Sequence, residues 1–368
     1  MAMGTRPEVI KLAPVVRALR DRPCFETLVC ATAQHRQMLD QALGVFGLVP
    51  DIDLDLMAPG QDVYDVTAKV LLAMRRVLAE HKPDLVVVQG DTTTAFAVAL
   101  AAFYARRHVA HVEAGLRSGD KFQPFPEEIN RVLASALTDL HFPPTSGARD
   151  HLLRAGFPEG SILVTGNTVI DALYQSLPKA RALGGVEGLT LDPKRRLVLV
   201  TGHRRENFGP GVQAMCDALR ALSTSRPDIE IVYPVHLNPN IKGPVFERLG
   251  GLKHMHLIEP QPYLPFVWLM DRAAILLTDS GGVQEEGPAL GKPVLVMREV
   301  TERPEAVEAG AAMLVGTDRE RIVAEVCRLL DDPLHCQRMS TAGSPYGDGR
   351  ASERIADFLE QRMESLAG

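Results

Sequence analysis

Too few cysteines are present, and in the wrong places, for a stapled framework: Cys24, Cys30, Cys216, Cys327 and Cys336 are odd in number and scattered, without a CxxC pair or a metal-ligand spacing. Reduced thiols and a cytoplasmic setting are expected. No apolar run is long enough to span a bilayer, and the first residues carry neither a signal-peptide nor a lipidation pattern, so no membrane association is expected. Net positive charge is also missing. A formal charge of −6 and a pI near 6.0 argue against a nucleic-acid partner while leaving room for a local basic site that holds a small anion. No tandem repeat occurs at a solenoid period. What remains is an ordinary globular composition: 368 residues at 46% hydrophobic content can bury the cores of two Rossmann-sized domains.

The most informative stretch is LTDSGGVQEEG at residues 277–287. The apolar run AAILLT before it has the length of a buried parallel strand, and Asp279, Ser280, Gly281 and Gly282 break it sharply. A helix is expected to begin there. Glycines at a strand-to-helix turn let backbone N–H groups approach an anion, and the helix N-terminus adds roughly half a positive charge, so a phosphate fits. Glu285 and Glu286 follow one turn later, where a carboxylate can accept from ribose hydroxyls. The ordinary alternative is a helix cap with acidic residues behind it.

Other strand-to-helix corners carry charge in the same way. GTRPEVIK, after only Met1–Met3, reads as a corner with a truncated strand, and places Arg6 and Lys11 where they can reach a phosphate or carboxylate. VYDVTAKVLLAMRRVLAEHKPD is a strong amphipathic helix ending before Pro83, and DLVVVQGDTTTAFAVALAAFYARR is strand, turn and helix. Asp91 lies just beyond that strand, at the edge where open parallel sheets bind ligands, and Glu113 in HVEAGLRS has the same placement. In PFPEEINR, Pro126 opens a helix with Glu127 and Glu128 in its first turn. Capping and macrodipole complementarity explain any one of these acids; three near one strand edge are less easily dismissed. His203, Arg204 and Arg205 follow the strand RRLVLVT, positioned for anionic oxygen. Several metal and cofactor motifs fail: DIDLDL lacks the glycine and distal glutamate of an EF-hand, and Gly209, Gly211 and Ala214 do not directly follow a strand as a dinucleotide fingerprint must.

Taken together, GTRPEVIK, VQGDTTT, HVEAGLRS, PFPEEINR, TGNTVIDAL, TGHRRENFG, PVHLNPN, TDSGGVQEEGPALGKPV and TERPE resemble the non-hydrolysing UDP-N-acetylglucosamine 2-epimerases over nearly the whole chain. The resemblance implies an α/β, GT-B-like fold of two Rossmann-like parallel-sheet domains facing across a cleft. Residues 1–168, joined by a terminal helix at 350–368, would form the first domain and residues 169–349 the second, UDP-binding one. It implies reversible epimerisation at C2 by elimination and re-addition of UDP through a 2-acetamidoglucal, without metal or cofactor. By the same resemblance Ser280, Gly281 and Gly282 meet the phosphates, Glu286 the ribose, and Gln261 and Phe266 the uracil. Arg6 and Lys11 meet the diphosphate and sugar; Asp91, Glu113 and Glu127 serve catalysis with His203. A regulatory substrate site would use Gln34, Gln37, Glu127, Arg204 and His236. Gly60 stands where some regulated relatives carry arginine, which weighs against strong activation. A homodimer is expected on the family likeness alone. The competing readings are a hydrolysing 2-epimerase, a GT-B glycosyltransferase, and a non-catalytic UDP-sugar-binding regulator.

Overall fold

Short runs of Val, Leu and Ile bounded by turn residues become buried parallel strands in both halves of the chain. The computed structural model describes residues 1–32, 36–58 and 60–362. They fall into two units: Met1–Gln175 with Gly347–Gly368, and Ser176–Tyr346. Helix Thr168–Ala182 runs through the first break. The expected boundaries were residues 168 and 349, whereas the units divide at 175 and 346. The first turns of this helix go with the first unit because Asp171 accepts from Ala351 N (3.1 Å) and Ser352 N (2.7 Å), fastening it to helix Ala351–Glu360.

In the first unit β1 (Ala2–Met3), β2 (Cys30–Ala31) and β3 (Ile52–Asp53) form one parallel sheet in that order, and β4 (Leu85–Gln89), β5 (His108–Val112) and β6 (Leu140–Phe142) form another. β1 and β4 lie side by side. The spatial order is therefore 3-2-1-4-5-6, the Rossmann order, with its switch point between β1 and β4. The amphipathic helix expected after residue 62 spans Val63–His81; Asp62 accepts from Asp65 N at 3.0 Å to start it, and Lys82 ends it at φ 45°. Its apolar face, with Val70, Met74 and Leu78, packs on the same core as Val86 and Val88 of β4. Of the stretch ETLVCAT at residues 26–32, only Cys30–Ala31 pairs as a strand. The ILV run at 162–164 forms no strand: Ile162 makes a single bridge to His141, because Leu163 N and Thr165 N alone pair with His141 O and Pro143 O.

The second unit repeats the plan with six strands in one sheet: β7 (Arg196–Thr201), β8 (Ile229–Pro234), β9 (Met255–Ile258), β10 (Ile275–Thr278), β11 (Val294–Val296) and β12 (Ala312–Leu314). Their order is β12-β11-β10-β7-β8-β9, all parallel, so the switch point lies between β7 and β10. Val198, Val200, Ile231, Tyr233, Ile275 and Leu277 fill its core together with the apolar face of helix Pro210–Ser225. No helix among the described residues is long and apolar enough to cross a membrane.

Candidate active site

β7 and β10 run in register, Thr201 opposite Thr278, and their hydroxyls meet at 2.5 Å. Just past this pair sits Asp279, 1% exposed. Its Oδ2 accepts from His203 N and Arg204 N, both at 2.9 Å, and from Asn207 Nδ2 at 3.2 Å, so one carboxylate ties the loop after β7 to the loop after β10. Oδ1 lies 3.2 Å from His203 Nδ1, an ion-pair distance that is not aligned as a hydrogen bond. Burial pushes the Asp279 carboxyl up, but His203 and the two amides outweigh it and hold it below its ordinary value. Asp279 therefore stays a carboxylate that orients His203. The His203 ring also stacks on His236 at 5.8 Å between centroids, and burial with the neighbouring His203 lowers the His236 pKa.

From Ser280 a helix starts as expected, spanning Gly281–Ala289 with Ser280 as its N-cap. The two glycines leave its first turn bare, and a Cβ on Gly281 would lie 3.3 Å from the Arg303 guanidinium carbon. Glu285 and Glu286 separate here. Glu285 pairs with Arg303 (2.9 Å), whereas Glu286 accepts from the Tyr263 hydroxyl (3.1 Å). Burial and the Glu286 charge push the Tyr263 phenol up, so it stays protonated and donates. Tyr263 and Phe266 are i,i+3 neighbours on helix Tyr263–Arg272, hence on one face, and Gln261 precedes that helix with its amide donating to Glu259 O at 2.7 Å.

Arg303 is a residue that the sequence reading left without a role, although TERPE carries it. Its signal appears only in space, where it flanks Gly281. Glu302 binds Arg303 (3.4 Å), Arg204 (3.1 Å) and Arg298, and these guanidiniums outweigh burial and hold its pKa at about 2. Arg204 is thus already engaged.

In the first unit Asp91 and Glu113 follow the ends of the adjacent strands β4 and β5, where Gln89 is in register with Val112. Glu113 is 6% exposed, with φ of 64°, a left-handed conformation uncommon for a side-chain-bearing residue. Three donors hold it: Lys11 Nζ at 2.5 Å, Asn167 Nδ2 at 3.3 Å, and Gln89 Nε2. Asp91 is not the helix cap, since Thr92 takes that place by accepting from Ala95 N. Instead Asp91 Oδ2 binds Arg131 NH2 (2.6 Å), and its carbonyl accepts from Asn130 Nδ2 (3.0 Å). Both partners belong to helix Glu127–Ala136, so Asp91 is tied to the element that carries Glu127. That helix sorts its two acids. Glu128 accepts from Ser118 N (3.0 Å) and Gly119 N (3.2 Å) and lies 3.3 Å from Arg131, while Glu127 Oε2 is buried with no hydrogen-bond partner among the described residues. Arg6, half-buried, is the first residue of helix Arg6–Arg20, and Lys11 lies on the same helix.

Of the expected regulatory residues, Gln34 lies outside the described residues, Gln37 is exposed on helix Arg36–Phe46, and His236 accepts from Asn238 N at 3.1 Å.

Comparison with known proteins places the chain in a family. The model of the family described as UDP-N-acetylglucosamine 2-epimerase matches residues 17–360. A UDP-N-acetylglucosamine 2-epimerase of Escherichia coli K12 is 55% identical over 99% of this chain and 98% of its own, and one of Campylobacter jejuni is 48% identical over 98% and 96%. Among solved structures, the UDP-GlcNAc 2-epimerase of Neisseria meningitidis bound to UDP-GlcNAc superposes with a TM-score of 0.92 at 44% identity, covering 98% of each chain. The Methanocaldococcus jannaschii enzyme in complex with UDP-GlcNAc and UDP gives 0.81 at 36% identity, again covering 98% of each. The fold class is accordingly α/β and GT-B-like, built of two Rossmann-like parallel-sheet units.

Proposed function

The chain belongs to the UDP-N-acetylglucosamine 2-epimerase family, and from that premise we propose that it interconverts UDP-N-acetylglucosamine and UDP-N-acetylmannosamine by eliminating and re-adding UDP. It is an isomerase. The second unit grips the nucleotide: the bare first turn of helix Gly281–Ala289, with Ser280, Gly281 and Gly282, receives the diphosphate, aided by His203 and Arg303. Glu286 accepts from the ribose, and Gln261 and Phe266 border the base. The first unit supplies Arg6 and Lys11 as cations and Asp91, Glu113 and Glu127 as acid–base groups.

The chemistry accounts for this division. C2 of the sugar has no adjacent carbonyl, so its proton is a very weak acid in the resting substrate. As the C1–oxygen bond breaks, its electron pair leaves with UDP and positive charge grows at C1. A base then removes the C2 proton, and the C2–H pair becomes the C1=C2 double bond of 2-acetamidoglucal. In the return step UDP oxygen bonds to C1 while a proton reaches C2 on the opposite face. Each positioned acid or base contributes about 10²- to 10⁴-fold, and cationic and dipolar contacts stabilise the leaving diphosphate.

The observation that carries the reading is the contrast between Glu127 and Glu128: one is consumed by backbone amides and Arg131, the other keeps a buried oxygen unspent. A carboxylate oxygen buried without a partner costs stability and is retained for a task. A protein that only bound UDP would have no use for it. Proton NMR with UDP-N-acetylglucosamine in D₂O tests the proposal. UDP-N-acetylmannosamine carrying deuterium at C2 is expected. Free N-acetylmannosamine would select a hydrolysing enzyme, and UDP binding without exchange at C2 would end the epimerase reading. We place the protein in the cytoplasm on its scattered, unpaired cysteines, and as a homodimer on the family likeness; a monomer in sedimentation equilibrium would overturn the second point.

A further inference from the structure

Glu8 is fully buried, at 0% exposure, yet it has no part in the reaction described above. Its Oε2 accepts from Gly4 N (3.0 Å), Thr5 N (2.8 Å) and Thr5 Oγ1 (2.8 Å). These bonds brace the corner between β1 and helix Arg6–Arg20. A local helix-start role would end there. The other oxygen leaves the helix: Oε1 accepts from Thr92 Oγ1 at 2.7 Å, across 84 residues of sequence. Thr92 directly follows Asp91, and its hydroxyl also accepts from Ala95 N at 3.0 Å to cap helix Thr93–Tyr104. The single Thr92 proton is thereby committed to Glu8.

The location gives this contact its meaning. β1 and β4 flank the switch point of the first sheet, and Glu8 joins the turn after β1 to the turn after β4. The turn after β1 leads into Arg6 and Lys11; the turn after β4 carries Asp91. In the second unit Asp279 does the same at the corresponding point, joining the loop after β7 to the loop after β10. There is little slack at the first-unit corner, where a Cβ on Gly4 would fall 2.3 Å from Thr32 Oγ1 and 2.7 Å from Thr94 Oγ1.

We propose that Glu8 is a positioning residue: through Thr92 it holds the Asp91 turn in register with the Arg6–Lys11 helix, so that the acid–base group and the cations keep one geometry. The proposal rests on the epimerase reading of Asp91, Arg6 and Lys11. Four donors converge on Glu8, and only a carboxylate can accept from all of them; an amide keeps a single acceptor oxygen and loses the bond that Thr92 donates. Burial raises the Glu8 pKa, opposed by the Thr92 and Thr5 hydroxyls and the Gly4 and Thr5 amides. Misplacing a reacting group by about 1 Å can cost roughly a hundredfold in rate, so the strut is expected to act on turnover more than on UDP affinity.

Thr92→Asp separates capping from bracing. Aspartate caps a helix as well as threonine does, but it brings no hydroxyl proton and sets a second carboxylate against Glu8. In the full-length protein, kcat for epimerisation is expected to fall about ten- to a hundredfold in Thr92→Asp. The UDP dissociation constant should stay within about threefold, and Thr92→Ser should restore kcat to within about threefold of the unmodified protein. Glu8→Gln should lose kcat similarly, and the double variant should lose no more than the worse single one, because both cut the same link. If Thr92→Asp does not fold by circular dichroism, Glu8→Gln, which leaves the Thr92 cap on Ala95 N in place, is read by the same criterion. Equal kcat in Thr92→Asp and Thr92→Ser, or losses that multiply in the double variant, would overturn the strut alone. An unmodified protein that forms no UDP-N-acetylmannosamine would overturn the epimerase reading, and the strut with it.

Discussion

Lys11 Nζ stands 2.5 Å from Glu113 Oε2, joining the second turn of the first helix to the residue just after β5. Both side chains are shielded, at 16% and 4% exposure, so the pair lies in a medium where charges interact more strongly than in water. Lys11 thus has a partner in place before any phosphate arrives. Its first effect is to orient Glu113.

If that is its role, Lys11→Gln should slow turnover by about tenfold to a hundredfold while leaving the UDP dissociation constant nearly unchanged. Isothermal titration with UDP beside steady-state kinetics gives the answer. A weakened UDP affinity with intact kcat would return Lys11 to the diphosphate.

The neighbouring acids on helix Glu127–Ala136 should respond in opposite ways. Glu127→Gln removes a carboxylate with an unpartnered buried oxygen, so stability should hold while kcat drops by about 10²-fold or more. Glu128→Gln breaks bonds to Ser118 N, Gly119 N and Arg131 and should cost about 1–3 kcal/mol of stability. Thermal melts and initial rates on the pair distinguish them; a destabilised Glu127→Gln would contradict the assignment.

At the nucleotide grip, Glu286→Ala should raise the UDP dissociation constant by about tenfold, the loss of one charged hydrogen-bond acceptor. Tyr263→Phe, which frees Glu286 Oε1 from the phenol, should give a smaller effect in the same direction. Fluorescence or calorimetric titration measures both, and an unchanged constant in Glu286→Ala would remove it from the ribose.

Acid stability has an identifiable contributor in His141. It is 0% exposed, neither ring nitrogen has a hydrogen-bond partner among the described residues, and its ring lies 4.7 Å from that of Phe157. Burial, with His111 and Arg117 nearby, lowers its pKa from 6.5 to about 3. Below pH 6.5 the unfolded chain binds a proton here that the folded chain refuses, so stability falls as pH falls, from about 6.5 towards 3. Between pH 6.5 and pH 5 the loss from this residue is about 2 kcal/mol. His141→Leu should flatten that part of a urea-midpoint profile; an unchanged slope would show that other groups set it.

Much was legible without coordinates, because hydrophobic period and turn chemistry act locally. Val63–His81 reads as a helix from its apolar spacing, with Asp62 before it and Pro83 after it; the Asp279–Gly282 break reads as a strand-to-helix corner for the same reason. The ordered motifs also carried the family resemblance. Short elements read less well, since Cys30–Ala31 and Ile162 are defined by the strands beside them.

What the sequence by itself determined is therefore the identity of the acids and glycines at the carboxyl ends of strands, and the two-unit α/β plan. Which of them are spent was decided only by tertiary structure. Glu285 and Glu286 are adjacent, as are Glu127 and Glu128, and no periodicity separates the members of either pair. Arg303, Tyr263, Ser118 and Arg131 do, from 10 to 23 residues away in three cases and from the next helical turn in the fourth. Glu8 and Thr92 meet only because β1 and β4 lie side by side. A hydrogen bond needs its partner within about 3 Å, and that proximity is a property of the folded chain.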